Sequence, residues 1–166
     1  MKRLMIGLGI FVLAAPVSAQ WVAGGGYVNL SDESEFFDVS VGGIYASLGY
    51  LVESESGLTF LPEMRLGTGV ADDTILGVDI ELDSFFAFSV RGQFEFDSSF
   101  YVYAAPSYAR VELTASAAGM SESEDDWEFG VGGGVGYKFS DKAWGELSYE
   151  TYDGTDVFSI GFKVPF

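Results

Sequence analysis

Residues 127–139 read WEFGVGGGVGYKF. Trp127, Phe129, Val131, Gly133, Val135, Tyr137 and Phe139 alternate with Glu128, Gly130, Gly132, Gly134, Gly136 and Lys138. A period of two sends successive side chains to opposite faces of a strand. One face of this strand is therefore apolar, and the other carries only glycine and charge. The glycine run invites a nucleotide-loop reading, but it holds no G-x-G-x-x-G and no helix follows it. Small side chains facing a crowded interior explain it better. The pattern alone does not separate a half-wetted sandwich strand from the wall of a barrel that is polar inside.

Outward from this stretch the alternation recurs in segments of about ten residues, with no helical period after Trp21. Residues 58–69 set Leu58, Phe60, Met64 and Leu66 against Thr59, Glu63 and Arg65. Residues 86–96 set Phe86, Phe88, Val90, Phe94 and Phe96 against Ala87, Ser89, Arg91, Gln93 and Glu95. Residues 101–113 are read with Tyr101, Tyr103, Val111 and Leu113 on the apolar face and Arg110 and Glu112 on the polar one. Residues 144–152 oppose Leu147 and Tyr149 to Glu146, Ser148 and Glu150, and residues 157–166 oppose Phe158, Ile160, Phe162, Val164 and Phe166 to Ser159, Gly161 and Lys163. Two earlier segments, 21–30 and 38–50, complete eight, with their facing left open by glycines. The connections alternate: short turns at 51–57, 97–99 and 140–143, against polar loops at 31–37, 70–81 and 114–126 and a short fourth at 153–156. Such alternation suits an even-stranded barrel with both ends on the periplasmic side. Pro62 and Pro106 fall inside strands, where a missing N–H predicts a bulge or a broken ladder bond. Aromatics at the strand ends, among them Trp21, Tyr27, Tyr50, Tyr101, Trp127, Tyr137, Phe139, Tyr149 and Phe166, read as two interfacial girdles.

The first nineteen residues have the form of an export signal: Lys2 and Arg3, an apolar run from Leu4 to Ala15, then small residues, with cleavage expected between Ala19 and Gln20. Gln20 to Phe166 is then one domain. Losing Lys2 and Arg3 takes the formal charge from −17 to −19, which excludes nucleic acid as a partner. The exported chain has no cysteine, so it is not a disulfide-held scaffold. No apolar run after residue 19 is long enough for a membrane helix, leaving a closed barrel as the one way to span a bilayer.

Charge placement provides an independent test of the strand map. Arg65, Arg91, Arg110, Lys138 and Lys163 fall on polar strand faces, and of the mature bases only Lys142 lies in a turn. Glu63, Glu95, Glu112, Glu128, Glu146 and Glu150 share those faces, while the other nineteen acids lie in loops, turns or strand ends. These eleven residues are predicted to form a lumen network of ion pairs, because an eight-stranded barrel is just wide enough for side chains to fill. The competing chemical readings are a catalytic carboxylate pair and an ion path. Histidine is absent, which removes Ser-His-acid and Cys-His catalysis and His-containing metal sites. The expectation is accordingly no enzyme, no cofactor and no dedicated metal site. The acidic stretches 32–35, 72–73 and 122–126 lack EF-hand spacing; they read as solvated loops or as loose divalent-ion bridges to lipopolysaccharide.

The stretches GLTFLPEMRLGTG, YVYAAPSYARVEL, FGVGGGVGYKFSD and WGELSYETYD, in that order, resemble the outer-membrane β-barrel family that includes the OmpA transmembrane domain, OmpX and Ail, and the opacity-type adhesins. The resemblance covers nearly all of residues 20–166. It implies an all-β, eight-stranded antiparallel up-and-down transmembrane barrel in the Gram-negative outer membrane, monomeric among lipids and lipopolysaccharide. The terminal GFKVPF is similar to the aromatic signal read by the barrel assembly machinery, with Phe166 as its key residue and Pro165 a departure from the usual pattern. The expected role is structural or surface-interacting, with a surface ligand engaged through the acidic loops. A narrow porin-like channel and a soluble lipocalin-like ligand carrier are the alternatives.

Overall fold

The computed structural model describes residues 19–33, 38–54, 57–75, 77–96, 99–117 and 120–166. The body of the expected export signal, residues 1–18, lies outside the described residues. In chain order the strands are β1 (Ala19–Glu33), β2 (Asp38–Glu53), β3 (Leu58–Ala71), β4 (Asp73–Ile75), β5 (Val78–Glu95), β6 (Phe100–Ala117), β7 (Met120–Ser140), β8 (Ala143–Thr151) and β9 (Thr155–Pro165). All pairings are antiparallel, each long strand pairs with its neighbour in sequence, and β3–β5 and β1–β9 contacts close the ring. β4 is a short addition that pairs only with the start of β5, so eight strands form the wall. Closure leaves the wall without a free edge over its common height, which a bilayer demands.

Facing separates a membrane barrel from a lipocalin. Ile44, Leu66, Phe88 and Ile160 point outward and are about half exposed, whereas Glu63, Arg65 and Lys163 are 1%, 2% and 1% exposed inside. Charge inside and hydrocarbon outside is the reverse of a soluble carrier. The glycine-rich strands fall into line: Val22, Val28 and Leu30 of β1 and Val41, Ser47 and Leu51 of β2 are buried, while Trp21, Tyr27, Ile44, Leu48 and Tyr50 are exposed. Aromatic pairs mark both ends of the outer wall, Trp21 with Tyr50 at 5.0 Å and Trp127 with Tyr108 at 5.1 Å and Phe86 at 5.7 Å. Tyr101 does not belong to these girdles, because it is fully buried. Phe88 pairs with Met64, level with the buried Glu63. Phe88→Arg is expected to weaken folding into bilayers by about 2–4 kcal/mol. Met120→Arg at the exposed hairpin tip should stay within about 0.5 kcal/mol, both read by urea titration.

Two features differ from the sequence expectation, and at the two prolines the structure takes the second of the expected alternatives. The third connection is not a loop over 114–126: β6 and β7 pair without interruption from Val111 opposite Asp126 to Ala117 opposite Met120. β6 faces the opposite way, with Tyr101, Tyr103 and Ala105 inward and Ala104, Pro106 and Tyr108 outward. At the prolines the ladder is broken and not bulged. The β2–β3 register skips Pro62 between Gly49↔Glu63 and Val52↔Phe60. The β5–β6 register skips Pro106 between Ser89↔Ser107 and Gly92↔Ala104. The register is unchanged across each gap, and each proline keeps its partner on the other side, so its missing N–H lies where the ladder is open. The short fourth connection closes by a Tyr152 N–H to Thr155 carbonyl bond of 2.8 Å, with Gly154 at φ +92°, a conformation other residues resist.

Candidate functional site: a plugged lumen beneath an acidic mouth

The charged inward positions at mid-height belong to four strands. β3 supplies Glu63 and Arg65, β5 Arg91, β8 Glu146 and Glu150, and β9 Lys163, and all six are buried. Arg65 grips Glu150 through two parallel bonds of 2.5 and 2.7 Å. Arg91 bridges Glu146 at 2.7 Å and Glu63 at 2.9 Å, with its guanidinium 4.4 Å from the Tyr103 ring. Lys163 donates to Glu63 Oε2 and, at 2.9 Å, to Ser47 Oγ. Three carboxylates thus meet three bases and the cluster is neutral. Burial of an ion costs several kcal/mol, and the pairing of every charge offsets it, although Arg65 Nε makes no hydrogen bond among the described residues. Forked Arg–carboxylate geometry and the cation–π contact add to the offset.

Hydroxyls also donate to two of the three carboxylates. Tyr101 donates to Glu146 at 2.7 Å, and Ser107 and Tyr152 donate to Glu150 at 3.1 and 3.0 Å. The sequence reading left these residues out of the network, since tyrosine at alternate positions counts as apolar. The available signal was Ser107: it shares parity with Tyr101 and Tyr103, while Val102, Ala104 and Pro106 on the other parity suit lipid.

Apolar layers lie above and below the charges. Toward the short turns, Val22, Leu51, Leu61, Tyr101, Tyr103, Ala105 and Trp144 pack together. Toward the loops, Val28, Leu30, Val41, Leu82, Phe85, Ala87, Ala109 and Val157 do the same. A neutral ionic layer thus lies between two apolar ones.

The other expected lumen residues lie elsewhere. Glu95 and Lys138 pair at the turn end, only partly buried, with the Lys138 ammonium 5.2 Å from the Trp144 ring. Arg110 and Glu112 are not in the lumen. They lie on the outward face of β6 at the loop end, where Arg110 binds Asp125 of β7 at 2.7 Å and Glu112 accepts from Ser84 at 3.1 Å. The strand parity that buries Tyr101 and Ser107 places them outside, and a rim position lets water solvate them. Glu128 faces inward but higher, at the mouth, where its carboxylate accepts the Asp153 backbone N–H. Phe166 donates its backbone N–H to the Trp21 carbonyl at 2.9 Å, carrying the β9–β1 ladder past Pro165, and its ring is exposed.

Above the loop-side apolar layer the barrel opens into a cavity of about 300 Å³. Its lower walls are apolar, including Leu30, Val41, Phe85 and Val157, and its rim carries Asp32, Glu124, Asp126, Glu128 and Asp153. Among the described residues no group of three carboxylates converges closely enough to hold a metal ion.

A closed antiparallel ring with a charged interior, an apolar exterior and aromatic ends defines a transmembrane β-barrel of the bacterial outer membrane. The sequence profile of the outer membrane protein beta-barrel domain matches residues 5–166, and the chain belongs to that family. Among solved structures it is similar to Neisserial surface protein A, with 16% identity, 89% of this chain and 99% of that one covered, and a TM-score of 0.67. It is also similar to Ail of Yersinia pestis in complex with the heparin analogue sucrose octasulfate, at 14% identity, 89% and 99% coverage and a TM-score of 0.66. The N-terminal barrel domain of Pseudomonas aeruginosa OprF aligns at 13% identity, 89% and 97% coverage and a TM-score of 0.61. At these identities the likeness shows the fold. No curated protein sequence matches the chain.

Proposed function

We propose that this outer-membrane protein is a non-conducting, non-catalytic barrel that acts as a structural element of the envelope or as a surface contact through its loop end. The observation that carries this reading is the neutral cluster of Glu63, Arg65, Arg91, Glu146, Glu150 and Lys163, sealed between two apolar layers. A channel needs a continuous wet path, and an enzyme needs substrate access to its reactive groups. Every charge of this cluster is buried and paired. In the same reading the exported chain is monomeric, contacts lipid and lipopolysaccharide through its wall, and enters the membrane through recognition of Phe166 by the assembly machinery. The bound sucrose octasulfate of the Ail complex is a polyanion. The mouth described here carries five carboxylates and no base, so it is not suited to such a ligand.

Planar-bilayer recording of the refolded protein tests the reading. The expected result is no steady conductance at any voltage that the bilayer withstands. Reproducible open levels that scale with salt would establish the porin-like alternative. A sample for this test must first show the heat-dependent electrophoretic shift of a folded barrel and fractionate with the outer membrane.

A further inference from the structure

We infer that the mouth cavity is a binding site for a small organic cation with an apolar body, such as an alkyl ammonium group. The inference deepens the surface-contact reading and rests on it, because the same cavity above an open lumen would be a vestibule. Its floor is the loop-side apolar layer, where Leu30, Val41, Phe85 and Val157 line about 300 Å³. That volume is at the lower end of the range for small-molecule sites, which runs from about 300 to 1,000 Å³. Apolar surface that faces an aqueous mouth is unfavourable unless something covers it.

The rim determines the sign of that occupant. Glu124, Asp126 and Glu128 occupy alternate inward positions near the top of β7; Asp32 lies near the end of β1 and Asp153 in the β8–β9 turn. No Lys or Arg is among the lining residues. The described bases lie elsewhere: Arg65, Arg91 and Lys163 in the plug, Lys138 at the turn end, Arg110 with Asp125 outside, and Lys142 exposed in the β7–β8 turn at the opposite end. Five carboxylates around one opening repel each other, and an entering cation relieves that repulsion. Because the carboxylates do not converge on a point, the ring suits a diffuse ammonium field better than a chelated metal ion. An apolar floor with an acidic rim matches a ligand that has one apolar end and one positive end.

The test uses the folded barrel in lipid nanodiscs, with methyl-labelled Val and Leu, titrated with n-hexylammonium, hexan-1-ol and hexanoate. The expected result is a saturable shift at the Leu30, Val41 and Val157 methyls with hexylammonium alone, weakened several-fold by raising the salt because the rim is exposed. The double variant Glu124→Gln/Asp126→Asn should weaken binding at least tenfold. Val111→Phe, which fills the cavity from the wall, should abolish it. Each variant is first shown to keep the heat-dependent mobility shift. The inference is overturned if no saturable shift appears at millimolar hexylammonium, or if hexan-1-ol or hexanoate acts equally well. It is also overturned if the shifts are confined to the lipid-facing Leu48 and Leu66, which would report partition into the bilayer. Conductance reads the plug and these shifts read the cup, so the two readings fail separately.

Discussion

Glu63→Ala is expected to remove about 3–5 kcal/mol of stability, the largest loss from any single lumen carboxylate. Glu63 is the hub of the plug: it binds Arg91 and Lys163 and lies 3.9 Å from Arg65 Nε. Without it, three buried bases face two carboxylates, and Lys163 keeps only Ser47 as a partner. The loss comes from leaving charge unpaired in a dry interior, not from the worth of one contact. A paired change therefore separates the two causes. Glu63→Gln/Lys163→Met restores neutrality and should recover most of the loss, since a buried ion pair replaced by neutral groups of similar volume is often nearly neutral in stability. Urea unfolding from bilayers, followed by the electrophoretic shift, measures both. A loss below about 1 kcal/mol for Glu63→Ala would mean that water solvates the lumen charges, as it does for exposed pairs.

The parts of this architecture legible in the sequence are those that obey a period of two against a polar–apolar contrast. β3, β5, β7, β8 and β9 each carry Lys, Arg or Glu on one parity and bulky apolar residues on the other. Either choice of face for β6 leaves apolar groups on both sides. Tyr101 and Tyr103 bury their rings while aiming hydroxyls at the lumen, so hydropathy misassigns them. The upper hairpin is illegible for another reason. From residue 114 to 126 both parities are small or acidic apart from Met120 at the tip, and no hydrophobic face marks a strand. What holds it is cross-strand pairing, with Thr114 and Ser123 at 2.7 Å and Ser116 and Ser121 at 3.0 Å. The mouth cavity is least legible, because Asp32, Glu128 and Asp153 meet only after the ring closes. Their grouping is a property of register, which no single segment contains.

Gly132→Val is expected to lower stability by about 3 kcal/mol or more and to deplete the heat-modifiable form, although it adds hydrocarbon to a strand that favours β-branched residues. Gly132, Gly134 and Gly136 lie on the inward parity of β7, and each leaves room for a large neighbour. A Cβ at Gly132 would stand 2.4 Å from both the Tyr149 carbonyl oxygen and Glu150 Cγ. One at Gly134 would meet the Leu147 carbonyl at 2.4 Å and the Tyr103 ring at 2.5 Å, and one at Gly136 would meet the Tyr101 ring at 2.1 Å. The backbone contact at Gly132 cannot be relieved by a rotamer change, and pushing Glu150 aside would break its two hydrogen bonds with Arg65. Glycine there is what allows the plug to close. Gly92 provides the control. It faces outward on β5, a Cβ added to it would meet nothing within 4 Å, and Gly92→Val should be neutral or stabilising by about 0.5–1 kcal/mol as chain freedom is removed. The urea midpoint should therefore fall for Gly132→Val and hold or rise for Gly92→Val. If Gly132→Val folds as stably as the parent, β7 does not press against β8 at this height, and the packing described for Glu150 is wrong.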